Sequence, residues 1–360
     1  MKDLFGVQLD APQFLPERGE IVMSYRDQHG TQLDLSSAGR GLQQTLLLLA
    51  YLHVNRGTVL LLDEPDAHLE VLRQRQVYQM LCDTATANGN QIIAASHSEV
   101  LLNEAAGRDL VVAFLGKPHR IDNRGSHLLK SLREIGFEHY YQAEQTGWVL
   151  YLEGSTDLSI LLALARIIDH PAKTLLERLF VHYVGNLPSA ARSHFHGLRE
   201  AKPDLVGIAL FDNITETLSS EAGLTEMMWR RREIENYLCL PEVLERYAEQ
   251  EGVADVNGPL FAKAEGTRRA NLMREVITAE VPPAALADKQ HNFWIQQKVS
   301  DDFLPRVFDA YFKKLKIVNL MQKNNYYLLA KHLRPEEVDP EVVEKLDAIV
   351  QAQNNAHPLG

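Results

Sequence analysis

Five acidic side chains and one histidine stand in this sequence where chemistry is usually done. Asp63 and Glu64 close the apolar run Val59-Leu60-Leu61-Leu62, and His97 follows the apolar run Ile92-Ile93-Ala94-Ala95 by two residues. Glu153 closes Trp148-Val149-Leu150-Tyr151-Leu152, Asp157 lies four residues on, and Asp212 closes Val206-Gly207-Ile208-Ala209-Leu210-Phe211. An acid delivered by a buried strand can hold a magnesium ion, and a second acid beside it can orient or polarise water. Phosphoryl transfer needs little more than such positioning and charge neutralisation. Asp63 suits the first role and Glu64 the second, while His97 is placed to hydrogen-bond a γ-phosphate. A solvated strand end and a structural histidine are the bland alternatives. In the second set, Glu153, Asp157 and Asp212 are candidates to share one or two magnesium ions, which would suit hydrolysis of a phosphodiester. The alternative there is a helix cap beside a solvated acid.

These positions require particular elements. The runs at 58–63 and 91–95 read as short parallel strands buried at the centre of a sheet. Ahead of them, Leu35-Ser36-Ser37-Ala38-Gly39-Arg40-Gly41 leads into an apolar helix over about 42–54, stopped near Gly57. Small residues at a helix start leave backbone N–H groups free to meet an anion, although an ordinary helix cap explains them as well. Residues 20–25 and 31–35 read as a hairpin around Asp27-Gln28-His29-Gly30. A polar helix runs to about Ala87. Beyond a mixed segment near 116–147 a fresh series begins: strands at 148–153, 180–184 and 205–212, with helices near 157–168 and 189–201. Strands alternating with helices imply a second parallel sheet whose strand ends open on one edge, where ligands usually bind. After about Leu240 the chain reads as helical and polar, broken at Pro282-Pro283.

The bulk properties limit the partners. The chain has 360 residues and a formal net charge of −11, so overall attraction does not bring it to a phosphate backbone. Contact with DNA would need a local basic patch or bound divalent metal. One candidate patch interleaves Lys313, Lys314, Lys316, Lys323, Lys331 and Arg334 with Tyr311, Phe312, Tyr326 and Tyr327, unless those aromatics lie in the core. Arg230, Arg231 and Arg232 either meet DNA phosphates or pair with nearby acids. The two cysteines, Cys82 and Cys239, fall in no CxxC or Cys/His cluster, which argues against a zinc site or a disulfide framework and for a reducing, cytoplasmic setting. No apolar run approaches the ~20 residues that span a bilayer, so no membrane partner is expected.

The ordered strings at 35–44, 59–70 and 92–98 together resemble the ABC ATPase superfamily, particularly its SMC-like branch. That resemblance implies an ATP- and Mg2+-dependent ATPase, with Asp63 on the metal, Glu64 and His97 at the γ-phosphate, and a homodimer or higher homo-oligomer formed through this domain. It also implies that Ser37, Gly39, Arg40 and Gly41 reach nucleotide held by the partner subunit, and that Asp66 and the residues up to Leu69 lie at the interface. The strand-end acids Glu153, Asp157 and Asp212 resemble the Toprim domain of topoisomerases, primases and OLD (overcoming lysogenization defect) nucleases. Arg231-Arg232-Glu233-Ile234-Glu235-Asn236-Tyr237-Leu238 looks like the OLD-type version of that domain, and the order ATPase then Toprim is that of the OLD family. The resemblance spans roughly residues 20–240. It implies an α/β fold: the C-terminal part of an ABC-type ATPase domain at 1–145, a Toprim-like parallel domain at 146–240 and a helical region at 241–360. The implied function is a nucleotide-governed, Mg2+- or Mn2+-dependent nuclease acting on DNA, in a bacterial or phage-defence setting.

Three departures shape the alternatives. The signature segment carries alanine at 38 where LSGGQ has glycine. Residues 1–34 contain no GxxxxGK[ST] phosphate loop. Either the sequence belongs to a longer protein, or another chain supplies that lobe, or the domain no longer binds ATP. The first is the expectation, because Met1 falls inside the expected fold. Finally, the DxD of Toprim domains reads Asp212-Asn213-Ile214, and Ile214 cannot hold metal; Glu216, Glu233 or Glu235 would have to compensate. The rival functions are therefore an ATP-responsive scaffold whose degenerate carboxylate site binds a partner effector, and a DNA-repair adaptor that binds DNA without cutting it.

Overall fold

A computed structural model of the chain describes residues 1–105, 108–114, 118–120, 135–219, 221–255 and 258–358. It is a mixed α/β protein of two compact units, Met1–Glu138 and His139–Gly360. Among the described residues no helix is long and apolar enough to cross a membrane.

The first unit opens with short antiparallel pairings. Ser24–Arg26 pairs with Gln32–Asp34, and the Asp27 carboxylate closes the turn by accepting from the backbone N–H of His29 (2.9 Å) and of Thr31 (2.8 Å). The expected strand over 20–25 is interrupted at Met23, and Glu20–Val22 pairs instead with Gln13–Leu15. Helix α1 (Arg40–Val54) leads to strand β1 (Val59–Asp63), helix α2 (Val71–Asn88) and strand β2 (Gln91–Ala95), which lies parallel to β1 with Leu61 opposite Ile93 and Asp63 opposite Ala95. Helix α3 (Glu99–Ala105) follows. Leu52 of α1 and Val77, Leu81 and Ala85 of α2 form the core, with Leu60 and Ile92 packed against it. The strands are less buried than expected. Their alternate residues Leu61 and Ile93 are 72% and 55% exposed. Side chains on a strand alternate faces, and the helices here cover one face of the two-stranded sheet.

The second unit is built on a four-stranded parallel sheet. Helix α4 (Phe137–Thr146) precedes strand β3 (Trp148–Leu152), in which every residue is buried. Helices α5 (Ser155–Ile167) and α6 (Ala172–Leu176), strand β4 (Val181–Tyr183), helix α7 (Pro188–Ala201), strand β5 (Val206–Phe211) and strand β6 (Leu224–Met228) follow. The sheet order is β4-β3-β5-β6, with Leu150 opposite Val181 on one side and Ile208 on the other. Leu150, Leu152, Ile208 and Leu210 face a large core shared with helices α8 (Pro241–Ala254), α9 (Pro259–Glu280), α10 (Leu304–Leu315) and α11 (Pro340–Asn354). The C-terminal helices therefore complete the hydrophobic core of the sheet. On the other face, the Phe195 ring of α7 lies over Gly207, where an added Cβ would meet it at 2.9 Å. α9 ends at Glu280 and a new helical turn begins at Pro283, as the Pro-Pro break requires.

The basic-aromatic segment is not a nucleic-acid surface of stacked rings. Tyr311, Phe312 and Tyr326 are buried in the core, while Lys314 pairs with Glu275 and Lys323 with Asp301. Arg230 pairs with Glu344, Arg231 with Asp339, and Arg232 donates to the Asn213 carbonyl.

Candidate nucleotide and metal sites

In the first unit the sequence brings its acids to the C-terminal edge of the two parallel strands. Asp63 is the last residue of β1 and is exposed. Glu64 follows with φ of +48°, a left-handed conformation that costs a residue with a Cβ about 1–2 kcal/mol. Its backbone N–H donates to the Ala95 carbonyl (2.8 Å), and its own carbonyl accepts from Gln44 Nε2 of α1 (3.3 Å). The turn is thus held from both sides, and Glu64 Oε1 comes within 3.6 Å of His97 Nε2, at the end of the neighbouring strand. Both side chains remain open to solvent, so a γ-phosphate and a water can reach them. Asp66 behaves differently. It is buried and accepts from Ser96 Oγ at 2.5 Å, so it fixes the loop that carries His97.

The signature segment caps α1. Gly39 is the N-cap residue, with no side-chain acceptor on the first turn. Ser37 Oγ donates to the Asp34 carbonyl (2.6 Å), and Asp34 accepts from the Ser36 N–H (2.7 Å). Gly41 is required by close approach, because a Cβ there would stand 2.8 Å from the His68 carbonyl. A cavity of about 300 Å³ lies beside this contact, lined by residues including Phe5, Tyr25, Gly39, Gly41, His68 and Arg73.

In the second unit the parallel sheet delivers Glu153 and Asp212 to one edge, where β3 and β5 end side by side. Asn186, which follows β4 on the same edge, joins them. Its Nδ2 donates to Glu153 Oε2 (2.6 Å) and to Asp212 Oδ2 (3.1 Å), and its Oδ1 accepts from the Asp212 N–H (2.9 Å). Asp157, in the first turn of α5, accepts from the Glu153 N–H at 3.2 Å. Burial and the Glu153 carboxylate push Asp157 up to about 6. Burial, a hydrogen bond with Glu153 and the neighbouring acids hold Asp212 well above the usual carboxylate range.

The three acids proposed to replace the second aspartate differ in their surroundings. Glu216 pairs with Arg192 (3.8 Å). Glu233 accepts from the N–H and the hydroxyl of Ser300 (2.5 and 2.9 Å). Glu235 is buried and is pushed up to about 8 by desolvation and by the charges of Glu233 and Asp157; it in turn acts on Asp212. Four carboxylates, Glu153, Asp157, Asp212 and Glu235, therefore share one field, with Lys298 and Lys323 at its border. Crowded acids of this kind either keep protons or hold a cation. A donor set of carboxylate oxygens suits Mg2+ or Mn2+. The carboxylate oxygens are not clustered as tightly as three histidines of the same unit. The sequence shows Glu153, Asp157 and Asp212 as strand-end acids. It conceals Asn186, although an asparagine directly after a strand on the same edge is the available signal.

Residues 1–103 match the family model described as "AAA domain, putative AbiEii toxin, Type IV TA system". That match covers the segment carrying Asp63, Glu64 and His97, so this part of the chain is an AAA-type, ATPase-like domain, a class that binds nucleotide and typically Mg2+. No curated protein matches the chain.

Proposed function

We propose that the chain is an ABC-type ATPase coupled to a Toprim-like, Mg2+- or Mn2+-dependent nuclease acting on DNA, in the manner of the OLD family. The observation that carries the nuclease reading is the convergence of Glu153, Asp157 and Asp212 at the C-terminal edge of a parallel sheet. Glu153, Asp157 and Asp212 would hold the cation, with Glu235 supplying the carboxylate that Ile214 lacks. Bound there, a divalent ion supplies an activated water and stabilises the leaving oxygen of a phosphodiester. Asn186 fixes the Glu153 and Asp212 carboxylates before substrate arrives. Lys298 and Lys323 lie at the border of the acids but are both paired with Asp301, so the bound cation would have to supply the charge that a backbone phosphate meets. In the ATPase-like unit, Asp63 would hold Mg2+, Glu64 would orient water and His97 would contact the γ-phosphate. Ser37, Gly39, Arg40 and Gly41 would meet nucleotide across a homodimer, and Asp66 would support that interface from within.

The test is plasmid cleavage in Mg2+ or Mn2+ by the wild-type chain and by Glu153→Ala, with and without ATP. Cleavage confined to the wild type supports the proposal. No cleavage by either favours the second reading, an ATP-responsive scaffold, for which Ile214 at the DxD position is the specific observation.

A further inference from the structure

We propose that His139, His182 and His194 form a binding site for a transition-metal ion of the zinc class, separate from the carboxylate edge. Three elements bring the rings together: His139 from α4, His182 from β4 and His194 from α7. One ligand nitrogen from each lies within 4.8 Å of the others, the spacing at which small side-chain movements close the rings on an ion. His139 Nδ1 is 3.0 Å from His194 Nε2, so a single hydrogen lies between two nitrogens, and an ion can take its place.

The surroundings supply what a ligating imidazole needs. A histidine that binds metal through one nitrogen usually donates its other N–H to a fixed partner. Tyr151 Oη lies 2.9 Å from His194 Nδ1, and Tyr151 is fully buried in β3, opposite His182 in the strand register. With His194 Nδ1–H donating to Tyr151 Oη, the Nε2 lone pair is free for the ion. Burial also keeps His182 and His194 in the neutral, ligating form, pushed down to about 4 and about 3. The His182 and His194 rings are stacked, with centroids 3.8 Å apart and planes 11° apart. Aiming both at one ion requires the His182 ring to turn about χ2, a torsion with broad minima.

The donor set fixes the class of metal. Three imidazole nitrogens suit Zn2+, Co2+, Ni2+ or Cu2+ and reject Mg2+, whereas the carboxylate edge has the opposite preference. Position along the strands separates the two sites: Tyr151 and His182 pair within β3 and β4, whereas Glu153 and Asp212 follow the ends of β3 and β5. A bound ion would tie α4 to the sheet and to α7.

The test is a Co2+ titration of the full, metal-stripped chain in excess Mg2+, read by visible absorption, with competition by Zn2+. The expected result is one tight equivalent displaced by Zn2+, unchanged in Glu153→Gln and weakened by at least about tenfold in His182→Ala and in His139→Gln. His139→Gln guards against misfolding, because it alters a helix side chain and leaves the Tyr151–His194 contact intact; circular dichroism verifies its fold. Absence of Co2+ binding in the wild type would overturn the proposal. So would a folded His139→Gln chain that binds as tightly as wild type, or binding that disappears in Glu153→Gln.

Discussion

Asp157 and Glu235 make the cost of the carboxylate site measurable. Burial raises both above their ordinary values, to about 6 and about 8. Across the interval between the unfolded and folded values the native chain holds more protons than the unfolded chain, so stability falls as pH rises. In EDTA the melting temperature is therefore expected to drop between pH 5 and pH 8.5, by roughly 4 °C or more, and Mg2+ is expected to flatten that slope. Thermal melts across pH with and without Mg2+ check this, and a flat profile in EDTA would contradict it. In the first unit, Glu64→Gln is expected to lower the ATP hydrolysis rate by a factor of about 10² or more while leaving nucleotide binding intact. Phosphate release and fluorescent-nucleotide titration separate the two effects. Much of this scale was legible in the sequence, because an acid closing an apolar strand is a local pattern. Glu235 was visible only as one of three choices. What sets it apart from Glu216, beside Arg192, and Glu233, bonded to Ser300, is a contact pattern that no local sequence pattern encodes.

Elements were legible to the extent that their patterns are local. The strands at 59–63, 91–95, 148–152, 181–183 and 206–211 follow from apolar runs, and α1, α5 and α7 from their spacing and end signals. Strand β6, Leu224-Thr225-Glu226-Met227-Met228, was not expected. It has neither an apolar run nor a clean alternation, and pairing with β5 is what makes it a strand. The uncovered face of β1 and β2 was also unexpected, since an apolar sequence does not state how many layers will cover it. Two glycines test the packing. Gly41→Ala would press a Cβ against the His68 carbonyl, and Gly207→Ala would press one against the Phe195 ring. Each is expected to destabilise its own unit by about 1–3 kcal/mol, measurable by denaturant unfolding. A neutral Gly41→Ala would mean that the signature segment and the His68 loop do not pack as described.

At the scale of the whole molecule, a net charge of −11 sets the terms for any encounter with DNA. The aromatics Tyr311, Phe312 and Tyr326 are core, Lys314 and Lys323 are ion-paired, and Arg230 and Arg231 are paired with acids, so under the proposed function contact with DNA is expected at the carboxylate edge once a cation neutralises it. DNA binding measured by anisotropy is accordingly expected to be weak in EDTA and strengthened by Mg2+, with the gain lost in Asp212→Asn. Equal binding in both conditions would assign the contact to another surface. The ATPase-like character of the first unit follows from its ordered motifs, whereas the sequence divides the rest of the chain into a Toprim-like domain and a separate helical region where the structure has one unit, His139–Gly360. The sharing of one core between the parallel sheet and the C-terminal helices does not follow from the motifs, because it is a tertiary property of side chains more than a hundred residues apart. The most direct test of the central claim is nicking of supercoiled plasmid by wild-type chain and Glu153→Ala, side by side in Mg2+, Mn2+ and EDTA. Metal-dependent nicking by the wild type, none in EDTA and a loss of about 10² or more in the variant are expected. A wild type inert in every condition, or a variant that cuts as fast as wild type, would contradict it.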